Sequence, residues 1–258
     1  MTRIDVYLTQ NGFSKSRESA HRSIEAGLVT VDGVVIKKAS FKVDETVEHD
    51  VVCTDALPYV GRGGLKLEAA LDAFDIDPNG KICADIGAST GGFTDCLLKR
   101  GAAKVFAIDS GRDQLDINLR RDPRVISLEG VNARFLNTEI IPDTVDIIVM
   151  DVSFISQTLI IPRLGQILAD NGVFVTLIKP QFECGREAIG KGGIVKQPRH
   201  RLSAVRRVTA ACAENGLFLE NLIRSPIVGG DGNVEFLALY TKRNNVLQER
   251  IVSGVDYN

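Results

Sequence analysis

The sequence has no tryptophan, only two methionines and only three histidines among its 258 residues. Its five cysteines lie at least 13 residues apart and form no C-x-x-C pair, so neither a disulfide framework nor a zinc-binding pattern is indicated. We therefore expect reduced thiols and no metal site. Apolar residues make up 44% of the chain and charged residues 25%, values that are typical of a globular protein and exclude a disordered one.

Long hydrophobic runs are also absent. The apolar stretch Val173–Ile178 has the length of a strand, far below the roughly 18 to 20 residues that cross a bilayer. The opening residues Met1–Asp5 do not resemble a signal peptide. We therefore expect a cytoplasmic protein with no membrane partner.

The net charge of −2 conceals a strong segregation of charge along the chain. Residues 43–58 carry five acidic groups and no lysine or arginine, whereas residues 179–207 carry eight lysines or arginines against two glutamates. One interpretation of the second segment is a basic face that attracts nucleic acid. The other is an ordinary solvated helix face.

Residues 1–57 are predicted to form a small, separate α+β unit. Ser14 or Ser16 can cap a short helix. The pair Asp32-Gly33 lies between two β-branched runs, which predicts a hairpin with a type I′ turn. A cluster of proline and glycine then predicts a linker over residues 58–64.

From residue 65 to residue 258, short apolar runs alternate with segments of helix length. This alternation predicts an α/β domain in which helices cover a parallel sheet. The expected strands are Ile82–Ile86, Val105–Asp109, Val145–Asp151, Val173–Lys179, Phe218–Ile223 and Val234–Tyr240, with a weaker one near Val125.

A glycine-rich loop follows the first of these strands, over residues 85–94. Glycines at a strand-to-helix turn let the backbone approach a nucleoside at the carboxyl edge of a sheet. The spacing fits neither a Walker loop nor G-x-G-x-x-G. Asp109 ends the next strand, where a carboxylate can accept hydrogen bonds from both ribose hydroxyls. The loop and Asp109 together predict an adenosine-containing cofactor. The alternative is that the glycines only make a tight turn and Asp109 only caps a helix.

Four charged residues occupy places where charge is costly. Asp151 and Lys179 each end an apolar strand, Lys66 lies at the start of a helix, and Glu235 opens a late strand. Such charges are tolerated when they are paired, and two lysines beside two carboxylates form a neutral set. Their spacing alone is equally compatible with an active site and with two structural salt bridges.

The order of these four residues resembles the K-D-K-E tetrad of the FtsJ-type ribose 2′-O-methyltransferases. Nearly the whole chain is similar to the TlyA family, often labelled haemolysin A, above all in Val60–Leu67, Asp151–Ser156 and Lys179–Glu183. The patterns Arg3-x-Asp5-x-x-Leu8 and Val29-x-Val31-Asp32-Gly33 resemble the RNA-binding domain first seen in small-subunit ribosomal protein four. The chain departs from the family pattern at Gly61 and Asp113.

The resemblance implies a Rossmann-like methyltransferase sheet, with helices on both faces, behind a small α+β RNA-binding domain. It also implies methyl transfer from S-adenosylmethionine to a ribose 2′-hydroxyl, that of a cytidine, in ribosomal RNA or ribosomal subunits. The tetrad would be catalytic. The cofactor-binding residues would be Asp85, Gly87, Ala88, Ser89, Thr90, Gly91, Gly92, Phe93, Thr94, Asp109, Asn132 and Asp151. The RNA-binding residues would be Arg3, Lys15, Arg17, Arg22, Arg62, Arg186, Lys191, Lys196, Arg199 and Arg201.

The role of Lys179 within such a reaction stays open at this point. A neutral lysine could remove the proton of the hydroxyl, whereas a charged one could orient the hydroxyl and stabilise a developing alkoxide. Other classes of protein also remain, namely a non-catalytic RNA-binding protein, a haemolysin-like factor and a methyltransferase for small molecules. The absence of a membrane-spanning run disfavours pore formation, and the complete tetrad disfavours a non-catalytic scaffold.

Overall fold

The computed structural model describes residues 1–25, 27–54, 58–229, 232–244 and 247–258. The chain divides into two compact units, Met1–Pro58 and Tyr59–Asn258. Within the described residues, no helix combines the length and apolar character needed to cross a membrane.

The first unit packs two helices against short strands. In chain order its elements are β1 (Thr2–Arg3), α1 (Ile4–Gln10), α2 (Arg17–Glu25), β2 (Val29–Val31), β3 (Val34–Val35), β4 (Lys42–Val43) and β5 (Val51–Cys53). Strand β2 pairs antiparallel with β3 and β5, and β1 pairs with β4. The core is made by Ile4, Leu8, Ala20, Ile24, Val29, Val31, Ile36 and Val43.

Local sequence signals explain how this unit turns. The Ser16 hydroxyl accepts the backbone N–H of Ser19 at 3.1 Å, which caps the start of α2. Asp32 and Gly33 both have positive φ, +50° and +77°, as a type I′ turn requires. The predicted helix cap and hairpin are therefore confirmed.

The second unit is built on one seven-stranded sheet among the described residues. Its elements are α3 (Gly63–Ala73), β6 (Ile82–Ile86), α4 (Gly92–Lys99), β7 (Lys104–Asp109), α5 (Ile117–Arg121), β8 (Val125–Glu129), β9 (Val145–Met150), β10 (Leu168–Ile178), α6 (Pro180–Glu183), α7 (Pro198–Glu214), β11 (Phe218–Arg224), β12 (Phe236–Thr241) and α8 (Gln248–Ser253). The strand order is β11-β12-β10-β9-β6-β7-β8. Strand β12 is antiparallel to both of its neighbours, and the other neighbouring pairs are parallel.

Helices cover both faces of this sheet, as predicted. Alternate residues of β9 face opposite ways: Val149 packs in a cluster with Leu71 of α3, and Ile148 in a cluster with Val208 of α7. Because both faces are buried, the central strands are continuous apolar runs rather than alternating ones. The strand order reverses between β6 and β9, so the crevice of an α/β sheet lies at the carboxyl ends of these two strands.

The structure departs from the predicted boundaries by more than one residue in three places. Strand β10 begins at Leu168, five residues before the predicted start at Val173. The pairing register with β9 shifts between Leu168 and Val173, and the polar residues in this stretch interrupt the apolar pattern from which the strand was predicted. Strand β12 begins two residues later than predicted. The segment predicted as a linker over residues 58–64 is partly folded, since Tyr59 is buried and α3 already begins at Gly63.

Candidate functional site

The glycine-rich loop makes its turn because its residues have unusual backbone angles. Gly87 and Gly91 have φ of +87° and +96°. A Cβ on Gly87 would lie 2.3 Å from the carbonyl oxygen of Asp151, so the ends of β6 and β9 approach each other too closely for any side chain there. The backbone N–H of Asp151 also donates to the carbonyl of Ile86 at 2.9 Å.

Gly87→Ala is therefore expected to lower the free energy of unfolding by about 2–4 kcal/mol, because left-handed strain and a backbone clash act together. Its affinity for S-adenosylmethionine, the cofactor implied by the resemblance, should fall with it. Urea unfolding and calorimetric titration measure the two effects. Gly80→Ala is the matched control, since Gly80 also has positive φ, +70°, but a Cβ there meets nothing within 4 Å. Equal losses in both variants would contradict the close approach.

Beside the loop lies a cavity of about 480 Å³ at the carboxyl ends of β6, β7 and β9. Asp109 faces it and ties the loop to the end of β7: its carboxylate accepts the N–H of Ser89 at 2.8 Å and the N–H of Gly111 at 2.7 Å. Each carboxylate oxygen keeps a second lone pair, which can accept a ligand hydroxyl. A second cavity of about 210 Å³ adjoins the first, and Gly87 and Asp151 line both.

Nine of the residues predicted to bind a cofactor line one cavity or the other, namely Gly87, Ala88, Ser89, Thr90, Gly92, Phe93, Asp109, Asn132 and Asp151. Asp85, Gly91 and Thr94 line neither. The carboxyl of Asp85 is fully buried and accepts the Thr94 hydroxyl at 2.7 Å. Burial, reinforced by the negative charge of Asp151, raises the pKa of Asp85 to about 7. Asp85 and Thr94 therefore bond to each other rather than face a ligand in either cavity.

The four charged residues form two ion pairs. The Lys66 Nζ lies 2.5 Å from Glu235 Oε2, and the Lys179 Nζ lies 2.5 Å from Asp151 Oδ1. Ile178 and Phe236 are the last paired residues of β10 and β12, which places Lys179 beside Glu235 at the end of the ladder. All four therefore meet at the carboxyl edge of the sheet.

The two pairs differ in their access to solvent. The Lys66 and Glu235 side chains are 10% and 2% exposed, whereas those of Lys179 and Asp151 are 13% and 22% exposed and line the smaller cavity. The Lys179 ammonium also donates to the Ser153 hydroxyl at 2.8 Å. The Lys179–Asp151 pair can therefore meet a substrate in that cavity, whereas the Lys66–Glu235 pair lines neither cavity.

Most of the predicted RNA-binding side chains are exposed: Arg3, Lys15, Arg17, Arg62, Arg186, Lys191, Lys196 and Arg199. Arg22 is partly buried and pairs with Glu18 at 2.7 Å. Arg201 is a correction, because it is 9% exposed and donates to the carbonyls of Val195 and Tyr257 at 2.9 and 2.8 Å. It lies on the buried face of α7. Counting charges along the sequence does not show which face of a helix a residue occupies.

Two of these arginines are held by a buried carboxylate. Asp5 has no exposed surface and accepts hydrogen bonds from Arg3 at 2.9 Å and from Arg17 at 2.7 Å, with His21 Nε2 at 3.2 Å. Burial alone would raise the pKa of Asp5, but the hydrogen bonds from Arg17 and Arg3 hold it well below its usual range. Asp5 therefore gathers exposed guanidinium groups at one place on the first unit.

Sequence reasoning assigned no role to Phe154, which the structure makes conspicuous. Its side chain is 92% exposed, its φ is +63°, and its ring centroid lies 5.3 Å from that of Phe182. It lines the larger cavity, one residue after Ser153. The only signal in the sequence was an aromatic residue three positions after Asp151, and the exposure of its ring is visible only in the structure.

Comparison with known proteins agrees with this geometry. Residues 59–242 match the FtsJ-like methyltransferase family and residues 2–51 match the S4 domain. The chain is 42% identical to the 16S/23S rRNA (cytidine-2′-O)-methyltransferase TlyA of Mycobacterium tuberculosis over 96% of this chain and 93% of the relative.

Solved structures extend the likeness to the fold. A suspected hemolysin from Streptococcus thermophilus is 41% identical, with a TM-score of 0.74 over 98% of this chain and 94% of the other. An S-adenosylmethionine dependent methyltransferase from Mesorhizobium loti shares the fold alone, at 16% identity and a TM-score of 0.52, over 70% of this chain and 99% of the other. The chain, with its paired lysines and carboxylates at the edge of a methyltransferase sheet, belongs to the FtsJ-like methyltransferase family.

Proposed function

We propose that this protein transfers a methyl group from S-adenosylmethionine to the 2′-hydroxyl of a cytidine in ribosomal RNA. The observation that carries the proposal is the Lys179–Asp151 pair, which lines the smaller cavity where it adjoins the larger one. The family is one of methyltransferases, and the relative described above is named for this reaction.

The larger cavity fits the cofactor. Gly87 leaves room at the carboxyl edge where a side chain would clash, and Asp109 keeps lone pairs for ribose hydroxyls. Asn132 and Gln114 also line this cavity, where they would contact the base. S-adenosylmethionine, when bound, supplies an electrophilic methyl group, which Asp151 would face at the junction of the cavities.

The smaller cavity is where the ribose would lie. The Lys179 ammonium has three N–H donors, of which one donates to the Ser153 hydroxyl, and Asp151 lies beside the ammonium as its ion-pair partner. Another of these N–H groups would donate to the acceptor hydroxyl, orient it, and stabilise the oxygen as its proton leaves for solvent. Asp151 places a carboxylate 2.5 Å from the Lys179 ammonium, and Lys66 and Glu235 form a second pair beside it.

Two kinds of surface would capture the RNA. The exposed ring of Phe154 offers a stacking face for an unpaired base beside the reacting ribose. Exposed cations of the S4 domain, including Arg3 and Arg17, and the Arg62 side chain at the smaller cavity would contact phosphates. The affinity for RNA should accordingly fall as the salt concentration is raised.

The test is methyl transfer from labelled S-adenosylmethionine to ribosomal subunits that lack the modification. We expect label at a ribose 2′-oxygen, located by nuclease digestion and mass spectrometry of the resulting nucleosides. Label at a base nitrogen or carbon would refute the proposed acceptor. RNA that is bound but unlabelled, with cofactor binding intact, would instead favour a binding protein.

A further inference from the structure

Glu183 is a buried acidic residue near the active site for which the proposed reaction has no use. It ends α6, four residues after Lys179, and its surface is 2% exposed. Burial raises the pKa of Glu183, partly offset by its hydrogen bonds. A carboxyl is seldom buried unless its oxygens are engaged, so its partners are informative.

Both carboxylate oxygens of Glu183 receive hydrogen bonds from the segment that follows β9. Oε2 accepts the hydroxyl of Ser156 at 2.6 Å, and Oε1 accepts the backbone N–H of Gln157 at 2.8 Å. Ser156 and Glu183 are 27 residues apart in the chain, so this contact joins the segment after Asp151 to the one after Lys179.

Gln157 ties the same segment to β10. Its side-chain amide donates to the carbonyl of Leu177 at 2.6 Å, and its amide oxygen accepts the hydroxyl of Thr176 at 2.8 Å. The side chain is 1% exposed, so these bonds lie away from water and hold firmly. The far end of the segment is thus attached at two points.

Between these anchors lies a short loop over residues 152–155. The bond from the Asp151 N–H to the Ile86 carbonyl holds its start, and Glu183 holds its end. The loop carries Ser153, which accepts from Lys179, and Phe154, whose backbone is in the left-handed region. A non-glycine residue keeps such a conformation only when its surroundings enforce it.

We propose that Glu183 is a positioning residue, which holds the 152–155 loop so that Ser153 and Phe154 face the acceptor nucleotide. This inference rests on the proposed function. Glu183 lines neither cavity. The loop that it holds lines the larger cavity, so its loss should impair the chemical step more than it weakens the binding of S-adenosylmethionine.

The central test is Glu183→Gln, which preserves shape but replaces one acceptor by an N–H group. We expect kcat for methylation of ribosomal subunits to fall by about 10- to 100-fold, because a slightly displaced acceptor reacts slowly. The dissociation constant for S-adenosylmethionine should rise by a smaller factor than that by which kcat falls. Glu214→Gln, which removes a charge from the exposed end of α7, is the matched control and should behave as wild type.

A second variant and a reporter guard against simple misfolding. Ser156→Ala removes one of the two hydrogen bonds to Glu183 without altering the buried carboxyl, so it should lower kcat less than Glu183→Gln does. In the double variant, Ser156→Ala should add little to the loss of kcat caused by Glu183→Gln. Because the chain has no tryptophan, Phe154→Trp places the single tryptophan of that variant on the loop. Its quenching by acrylamide should increase when Glu183→Gln is added.

Unchanged kcat in Glu183→Gln, or a loss of kcat that follows an equal loss of cofactor binding, would overturn the positioning role. If Glu183→Gln does not fold at the assay temperature, Ser156→Ala decides, and wild-type kcat in that variant would also overturn the positioning role. Each result is judged against wild-type methylation at the 2′-oxygen. Failure of wild type to methylate would count against the proposed function, and is thereby distinguishable from failure of this inference.

Discussion

Lys179→Ala should lower kcat for methyl transfer by about 10²- to 10⁴-fold, the range over which a positioned proton-transfer or charge-stabilising group acts. The side chain reaches the smaller cavity, where it contacts Asp151 and Ser153. Single-turnover methylation of ribosomal subunits measures the effect. Affinity for S-adenosylmethionine should change little, because the larger cavity is lined by other residues.

Lys81→Ala serves as the matched control for this variant. Lys81 is exposed and lies just before β6, at the opposite end of that strand from the site, so its loss should leave kcat unchanged. Lys179→Arg separates the two roles of the lysine, because a guanidinium stays protonated and cannot act as a base. Activity above that of Lys179→Ala indicates the charged, orienting role. Wild-type kcat in Lys179→Ala would remove Lys179 from the mechanism.

Breaking the Lys66–Glu235 pair should produce the largest loss of stability. Lys66→Met or Glu235→Leu leaves one charge buried without its partner, which costs about 3–5 kcal/mol in the free energy of unfolding. The double variant Lys66→Met/Glu235→Leu should regain most of this loss, since it buries apolar groups of similar volume. Urea unfolding of the four proteins forms a double-mutant cycle that measures the coupling.

Activity in the same variants distinguishes a catalytic tetrad from a structural salt bridge. We expect methyl transfer to stay low in the stable double variant, because Glu235 lies beside Lys179 at the end of the β10–β12 ladder and balances its charge. A double variant that is both stable and fully active would show that this pair serves the fold alone. The Lys179–Asp151 pair would then be the whole of the charged machinery.

Much of the fold could be predicted from the sequence because its signals are local. The hairpin at Asp32-Gly33 follows from the turn that those two residues adopt, and the limits of β6 follow from an apolar run ended by a glycine loop. Boundaries were less certain where local and tertiary effects compete. Before β12, the Asn233 side chain bonds to Gly193 and Val195, which are distant in the chain and which no local pattern identifies.

The candidate site was predictable in its residue types but less so in its roles. Charged residues at the ends of apolar strands mark the carboxyl edge of the sheet, which is how Asp151 and Lys179 stand out. Nothing local indicates that Asp85 is sealed beneath the loop, that Arg201 faces inward, or that Glu183 bonds to Ser156. Each of these facts depends on a neighbour that is distant in the chain.

Periodicity, turn chemistry and composition act between near neighbours, so the alternation of strands and helices, the glycine loop and the presence of two lysines and two carboxylates are all visible in the sequence. Which lysine meets which carboxylate, which pair lines a cavity and which aromatic ring is exposed depend on the folded chain. Folding brings together residues more than 100 positions apart, such as Lys66 and Glu235. Only the folded sheet specifies those distances.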